Sequence, residues 1–246
     1  MAHAGIGAEV EGIHAVDAAL ATGRVTELII ERRRATSDDG SALIETARST
    51  GVAVRTVDDV RPLAATAAPQ GVVARCRPIP PITLARAIAM RTMPALLVLD
   101  RVEDPRNVGA AARSAWAAGM TGLVVSDRRS APLGATAFKA AAGALEHLPV
   151  VAVGSVADAI RMLAKSDVWT VGLDGAAERS LFGLDLLALP VAVCVGAEGA
   201  GLSHLVAERC DVLARIPMPG GAESLNASVA AALASFEVAR MRGWVS

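Results

Sequence analysis

The chain has 246 residues, enough for one large domain or two smaller ones that each bury a core. Its 53% hydrophobic and 20% charged content excludes a disordered or fibrous chain. The 24 basic and 25 acidic residues leave a net charge of −1, without the basic excess usual in nucleic-acid binders, and 2% aromatic content offers few platforms for stacking single strands.

Residues 1–77 alternate in pattern. EGIHAVDAALATG (11–23) reads as a helix ended by Gly23, VTELIIE as a strand, and SALIETARST as a helix stopped by Gly51. VAVRTV, a short helix at DDVRPLAAT and the strand GVVARC complete a small α/β unit. A local basic patch, ERRRA (31–35), sits within it, although residues 1–77 carry 9 basic and 10 acidic side chains in all. RPIPPITLARAIAMRTMP follows, and its four prolines mark residues 78–94 as a linker.

A second series occupies 95–246. ALLVLD, GLVVS, LPVVAV, VWTVGLD, PVAVCVG and VLARIPM are short apolar runs, with helical blocks at 105–118, 136–145, 156–166 and 224–241. Continuous apolar strands alternating with helices imply a parallel sheet covered on both faces, with ligands beyond the carboxyl ends of its strands. Cys76, Cys194 and Cys210 read as buried reduced thiols, with neither zinc spacing nor a disulfide framework. No leader and no apolar run of about 18 residues is visible, so a soluble cytoplasmic protein without membrane contact is expected.

Three polar islands follow three of these strands. After ALLVLD, Asp104 is a natural N-cap and Pro105 a first helical residue, which places Asn107 in the first turn and Arg113 along the helix. Asn107 and Arg113 point about 120° apart and are not one stripe. Arg113 is either an arginine reaching for a phosphate or a surface arginine on an alanine-rich helix. After VAVCV, GAEGAGLS puts three glycines around Glu198, which suits tight turns and close approach to a ligand but is no dinucleotide or P-loop motif. After VLARIPM, Leu225, Val229, Leu233 and Phe236 recur as a core stripe, Ser224 is a candidate N-cap, and Asn226 is an unexpected asparagine in a helix start.

Taken in order, LDRVEDPRNVGAAARSAWAAG, VGAEGAGLS and IPMPGGAESLNASVAAALASFE resemble the three signature motifs of the SpoU–TrmH branch of the SPOUT RNA 2′-O-ribose methyltransferases, over roughly residues 95–242. AAGALEHLPV (141–150) is similar to the subgroup that modifies a guanosine of 23S rRNA, and EGIHAVDAAL with QGVVARC resembles the small L30e/L7Ae-like substrate-binding domain that precedes its catalytic domain. The resemblance implies a knotted α/β methyltransferase domain, a homodimer with its active site completed across the interface, and no metal. It implies S-adenosylmethionine cradled by Leu173, Gly175, Gly196, Gly199, Ile216, Met218 and Leu225. It also implies Arg113 as the group activating the ribose 2′-hydroxyl, with Asn107, Glu198, Ser224 and Asn226 orienting the ribose and holding the arginine; Glu198 as direct base is an alternative.

Other readings remain. A tRNA ribose methyltransferase or an antibiotic-resistance rRNA methyltransferase would carry the same motifs. A non-catalytic RNA-binding or ribosome-assembly protein would not need Asn107, Arg113, Glu198 and Asn226 together. A dinucleotide dehydrogenase fails for want of a strand–GxGxxG–helix unit with a downstream acid.

Overall fold

A computed structural model of the chain describes residues 5–127 and 130–244. Two compact units share the chain unevenly. Residues up to Pro80 join Pro132–His147 in the first, and Pro81–Ala131 joins the chain from Leu148 onward in the second.

The first unit opens with β1 (Glu9–Glu11), α1 (Ile13–Ala21), β2 (Val25–Glu31), α2 (Arg32–Ala35), α3 (Asp38–Ser49), β3 (Ala53–Val57) and β4 (Val72–Cys76). Its sheet runs β1–β4–β2–β3, with β2 and β3 parallel and β4 antiparallel to both neighbours. Ser37 caps α3 by accepting from Gly40 N, and Asp38 and Asp39 in the first turn suit the helix dipole. The helix expected from residue 11 starts two residues later. Glu9–Glu11 is a strand instead, and Gly12, at φ 86°, turns the chain into α1. Burial explains the difference. Glu11 is fully buried and its carboxylate accepts from Ala65 N (2.5 Å) and Thr66 N (3.2 Å), donors that a strand end beside that loop can reach.

The second unit begins within the expected linker. There α4 (Leu84–Ala89) buries Leu84 and Ala87 in the same cluster as Leu96 and Val98, so residues 81–94 are part of the folded unit. Next come β5 (Ala95–Asp100), α5 (Pro105–Ala117) and β6 (Gly122–Ser126). The chain then returns to the first unit for α6 (Ala135–Ala141). It finishes in the second with β7 (Val150–Val153), α7 (Val156–Ala164), β8 (Trp169–Leu173), β9 (Arg179–Ser180), β10 (Val191–Gly196), α8 (His204–Arg209), β11 (Val212–Arg215) and α9 (Ala227–Met241). All seven strands of this sheet are parallel, in the order β7–β6–β5–β10–β8–β11–β9. The apolar runs of the sequence are its buried strands, β5 being buried at every position. No helix among the described residues is long and apolar enough to cross a membrane.

Two expectations about side chains change. The stripe Val229, Leu233 and Phe236 is not core, since these residues are 45%, 37% and 41% exposed. The helix buries Ala227, Ala231, Ala234, Ser235 and Val238 instead, packed against α5, whose own buried face is Val108, Gly109, Ala111, Ala112 and Ala115. Small residues on both helices let the backbones approach, and the large apolar side chains are left outside. Among the thiols, Cys76 and Cys194 are buried but Cys210 is only half-buried; burial pushes the Cys76 pKa up to about 11.

In the first unit, Arg24 forms a two-pronged pair with Glu146 (2.6 and 2.5 Å), both side chains being nearly inaccessible. The same guanidinium donates to the carbonyls of Gly7 and Arg77 and lies 5.2 Å from the Phe138 ring centroid. Replacing only Glu146 leaves this cation buried without its anion. Glu146→Ala should therefore cost about 3–5 kcal/mol in a urea unfolding curve.

Candidate active site

The order of the second sheet reverses at β5 and β10. From β5 the chain moves outward to β6 and β7, then crosses back so that β10 lies between β5 and β8. Ligands of open parallel sheets bind at such a point, beyond the carboxyl ends of the strands. The segments after β5 and β10 are therefore neighbours.

After β5, Asp104 caps α5 by accepting from Arg106 N at 2.8 Å, and Pro105 opens the helix, as the sequence indicates. Asn107 follows in the first turn. After β10 the chain makes a tight reversal, with Ala197 N and Gly201 O 3.1 Å apart and Gly201 N and Ala197 O 2.9 Å apart. Gly199 and Gly201 take φ of 72° and 63°. The turn carries Glu198. Its foot is fixed by Asp100, a buried carboxylate at the end of β5 that accepts from Ser203 N at 2.7 Å.

The three islands converge on Glu198. Asn107 Nδ2 donates to its Oε1 at 2.8 Å, Asn226 Nδ2 donates to the same oxygen, and Asn226 Nδ2 also reaches Asn107 Oδ1 at 3.0 Å. Asn226 is the N-cap of α9, accepting from Ser228 N at 2.9 Å and Ser228 Oγ at 2.6 Å. The cap is thus Asn226, not Ser224, which sits two residues earlier and exposed on the rim of the neighbouring cavity. A carboxylate oxygen already taking two amide donors acts as an organiser of the cluster. Arg113 is exposed on α5 and enters none of these hydrogen bonds.

Beside the cluster lies a cavity of about 410 Å³, within the range of small-molecule sites. Leu173, Gly175, Gly196, Gly199, Ile216, Met218 and Leu225 all line it, as do Asp174, Glu198, Glu223 and Ser224. Just outside the lining, Arg215 donates to the carbonyls of Ala177 (2.6 Å) and Glu178 (3.0 Å). A Cβ on Gly175 would meet nothing nearer than the Glu223 carbonyl oxygen at 3.9 Å, so the backbone there is open to a ligand. Mixed apolar side chains, bare backbone and acidic groups on the walls fit a cationic nucleoside cofactor. Asp100 and Arg101 lie inside the first of the three motifs but receive no role of their own from it, and Arg215 reads only as part of an apolar strand, because spacing does not single out a carboxylate or arginine that serves a loop.

The profile of the SpoU rRNA Methylase family matches residues 94–236. The chain belongs to this family. The profile for RNA 2′-O ribose methyltransferase substrate binding matches residues 10–82. The chain is 52% identical over 147 residues to the 23S rRNA (guanosine-2′-O-)-methyltransferase RlmB of Xylella fastidiosa (strain 9a5c), an alignment spanning 60% of this chain and 59% of the relative. The protein of the same name from Escherichia coli (strain K12) is 39% identical over 240 residues, 94% of this chain and 97% of its own. Among solved structures, the SpoU methyltransferase AviRb from Streptomyces viridochromogenes in complex with the cofactor AdoMet superposes with a TM-score of 0.79 at 29% identity, covering 96% of this chain and 91% of that one. The expected SPOUT fold with an N-terminal substrate-binding domain is therefore the fold found.

Gly196 is the least replaceable residue of this family's second motif here. A Cβ there would lie 2.0 Å from the Gly201 carbonyl carbon and 2.3 Å from Leu202 N. Gly196→Ala must open the turn that carries Glu198. It should lower stability by about 1–3 kcal/mol, and calorimetric titration should show S-adenosylmethionine affinity reduced at least about tenfold.

Proposed function

We propose that this protein methylates the 2′-oxygen of a guanosine ribose in 23S rRNA, using S-adenosylmethionine, and that it works in the cytoplasm as a homodimer. The observation that carries the reading is the junction of Asn107, Glu198 and Asn226, drawn from three distant segments, at the lip of a cavity lined by all seven cofactor candidates. The full-length similarity to RlmB favours rRNA over tRNA.

S-adenosylmethionine, when bound, supplies the electrophilic methyl group. The chain's own residues do the rest. Gly196, Gly199, Ile216 and Leu225 offer backbone and apolar surface to the cofactor, with Leu173 and Gly175 on the opposite wall and Met218 beside them. Asn107 and Asn226, held by Glu198, fix the ribose so that its 2′-oxygen faces the methyl group, which removes much of the orientational cost of reaction. A guanidinium carries five donors and no acceptor, so Arg113 is cast as a hydrogen-bond donor and not as the base. It binds the adjacent phosphate and stabilises charge developing on the 2′-oxygen while the proton passes to phosphate or water. Ser224, on the cavity rim, orients the ribose.

Arg113 lies about 120° around α5 from Asn107, which suits a site completed by a second subunit. The exposed face of α9, with Val229, Leu233 and Phe236, and the Trp244 ring 6.3 Å from that of Phe236, offers the apolar surface such a pairing needs. On this reading the C-terminal segment threads the turn after β10, forming the knot of the family.

The deciding experiment is transfer of labelled methyl groups to total RNA from cells lacking the gene, followed by nuclease mapping. Label on a guanosine ribose of 23S rRNA is the expected outcome; label confined to tRNA would overturn the substrate and keep the chemistry. In the same assay Arg113→Ala should lose about 10²–10³-fold in rate while its cofactor affinity stays near wild type. Loss of cofactor binding in a folded variant would contradict the role given to Arg113.

The small unit supplies RNA affinity. Arg33, Arg34 and Arg61 line a groove of about 750 Å³ beside Gln70 and Gly71. Arg32 pairs with Asp58, both side chains being exposed, so that pair is weak and exchangeable for phosphate, while Arg33, itself 86% exposed, pairs with the buried Glu31. Reversing the charges of Arg32, Arg33 and Arg34 should flatten the salt dependence of RNA binding by roughly 0.7–0.9 for each phosphate no longer neutralised. An unchanged slope in filter binding would remove this patch from the interface.

A further inference from the structure

β5 ends at Asp100, and the next residue, Arg101, has φ of 58°. That left-handed conformation is comfortable for glycine and strained for an arginine. The other described non-glycine residues with positive φ, namely Gln70, Ala142, Asp167 and Trp244, lie in turns or just past helix ends. Arg101 alone among them stands between the end of a central strand and the helix that carries Asn107.

Its guanidinium is poorly used inside the protein. Nε is buried without a hydrogen-bond partner and lies 3.7 Å from Asp100 Oδ2, beyond hydrogen-bond reach. Nη2 makes one long contact, 3.4 Å, with the carbonyl oxygen of Gly201. Asp100 Oδ2 also accepts from Ser203 N at 2.7 Å, so its long ion pair with Arg101 is not its only partner. The side chain remains 36% exposed. A strained backbone thus holds a guanidinium with most of its five donors unspent, against the turn that carries Glu198. Strain kept at a position where glycine would relieve it points to a use outside the fold.

We infer that Arg101 is a further RNA-binding residue of this site, taking a phosphodiester oxygen of the strand whose ribose is presented to Asn107, Glu198 and Asn226. The inference rests on the RNA methyltransferase reading above and adds an RNA-binding group to it. A planar guanidinium matches a phosphate in two-pronged geometry, and the RNA strand carries a phosphate on either side of the target ribose.

Arg101→Gly separates the two roles, because it removes charge and strain together. The full-length protein is compared with Arg101→Gly and Arg101→Lys, using an unmodified 23S rRNA transcript as probe. Arg101→Gly should melt at or above the wild-type temperature and keep its affinity for S-adenosylmethionine. Its affinity for the transcript should fall about tenfold, with the salt slope shallower by roughly 0.7–0.9. Arg101→Lys keeps the charge and should restore the slope, though not the full affinity. A lower melting temperature with unchanged RNA affinity would overturn the inference, making Arg101 a structural counter-charge to Asp100; unchanged melting and unchanged affinity would overturn it as well. Wild-type methylation of the same transcript separates the two levels. If the wild type methylates it and Arg101→Gly binds it equally well, only the inference on Arg101 falls; if the wild type neither binds nor methylates it, both fall.

Discussion

Placing β10 between β5 and β8 brings the carboxyl ends of β5 and β10 side by side, and the carboxylate of Glu198, carried by the turn after β10, is the group on which the site's donors meet. Its Oε1 takes an amide donor from the helix after β5 and another from the N-cap of the last helix. Asn226 therefore works twice. Its oxygen starts α9 by accepting from Ser228 N, and its amide group closes the cluster on Asn107 and Glu198. The register of the C-terminal helix and the geometry of the site are set by one side chain, so the segment cannot slip along its axis without opening the cluster.

Packing makes that junction possible. Asn107 and Asn226 stand at the starts of two helices whose facing surfaces are mostly glycine and alanine, and their side chains meet at 3.0 Å because those backbones approach closely. Leucine or phenylalanine at those positions would hold the helices, and with them the two asparagines, apart. The same choice drives the large apolar residues of α9 outward. A helix whose inner face is small and whose outer face is large has exchanged some burial within one chain for surface that a partner can cover.

The sequence carried the parallel sheet, since continuous apolar runs such as ALLVLD and VAVCV, alternating with helical blocks, fit strands buried on both faces. It carried the cap at Asp104 and the turn at Gly199 for the same kind of reason, each being a local demand of the backbone. The stripe of α9 misled because periodicity reports that a face is apolar and not which neighbour covers it; alanines opposite alanines leave no signal. The strand at Glu9–Glu11 was hidden because a buried glutamate looks polar until its donors, Ala65 and Thr66, are brought from 54 and 55 residues away. The convergence of Asn107, Glu198 and Asn226 was legible only through resemblance. Separations of 91, 119 and 28 residues have no expression in spacing.

A net charge of −1 told against RNA because composition counts every arginine alike. The structure divides them by what their donors are doing. Arg24 is committed to Glu146 and two carbonyls, Arg215 to the carbonyls of Ala177 and Glu178, and Arg242 to those of Met93, Pro94, Leu187 and Leu189, where burial pushes its pKa down. These cations close the fold and offer nothing to a ligand. Arg101 spends one donor on the Gly201 carbonyl beside the turn that carries Glu198, and a phosphate responds to charges within about a Debye length, ~8–10 Å, rather than to the total. Neutral composition and local attraction for an anionic strand are compatible, because the sum is taken over the whole chain while the basic patch Arg32–Arg34 is local to one surface.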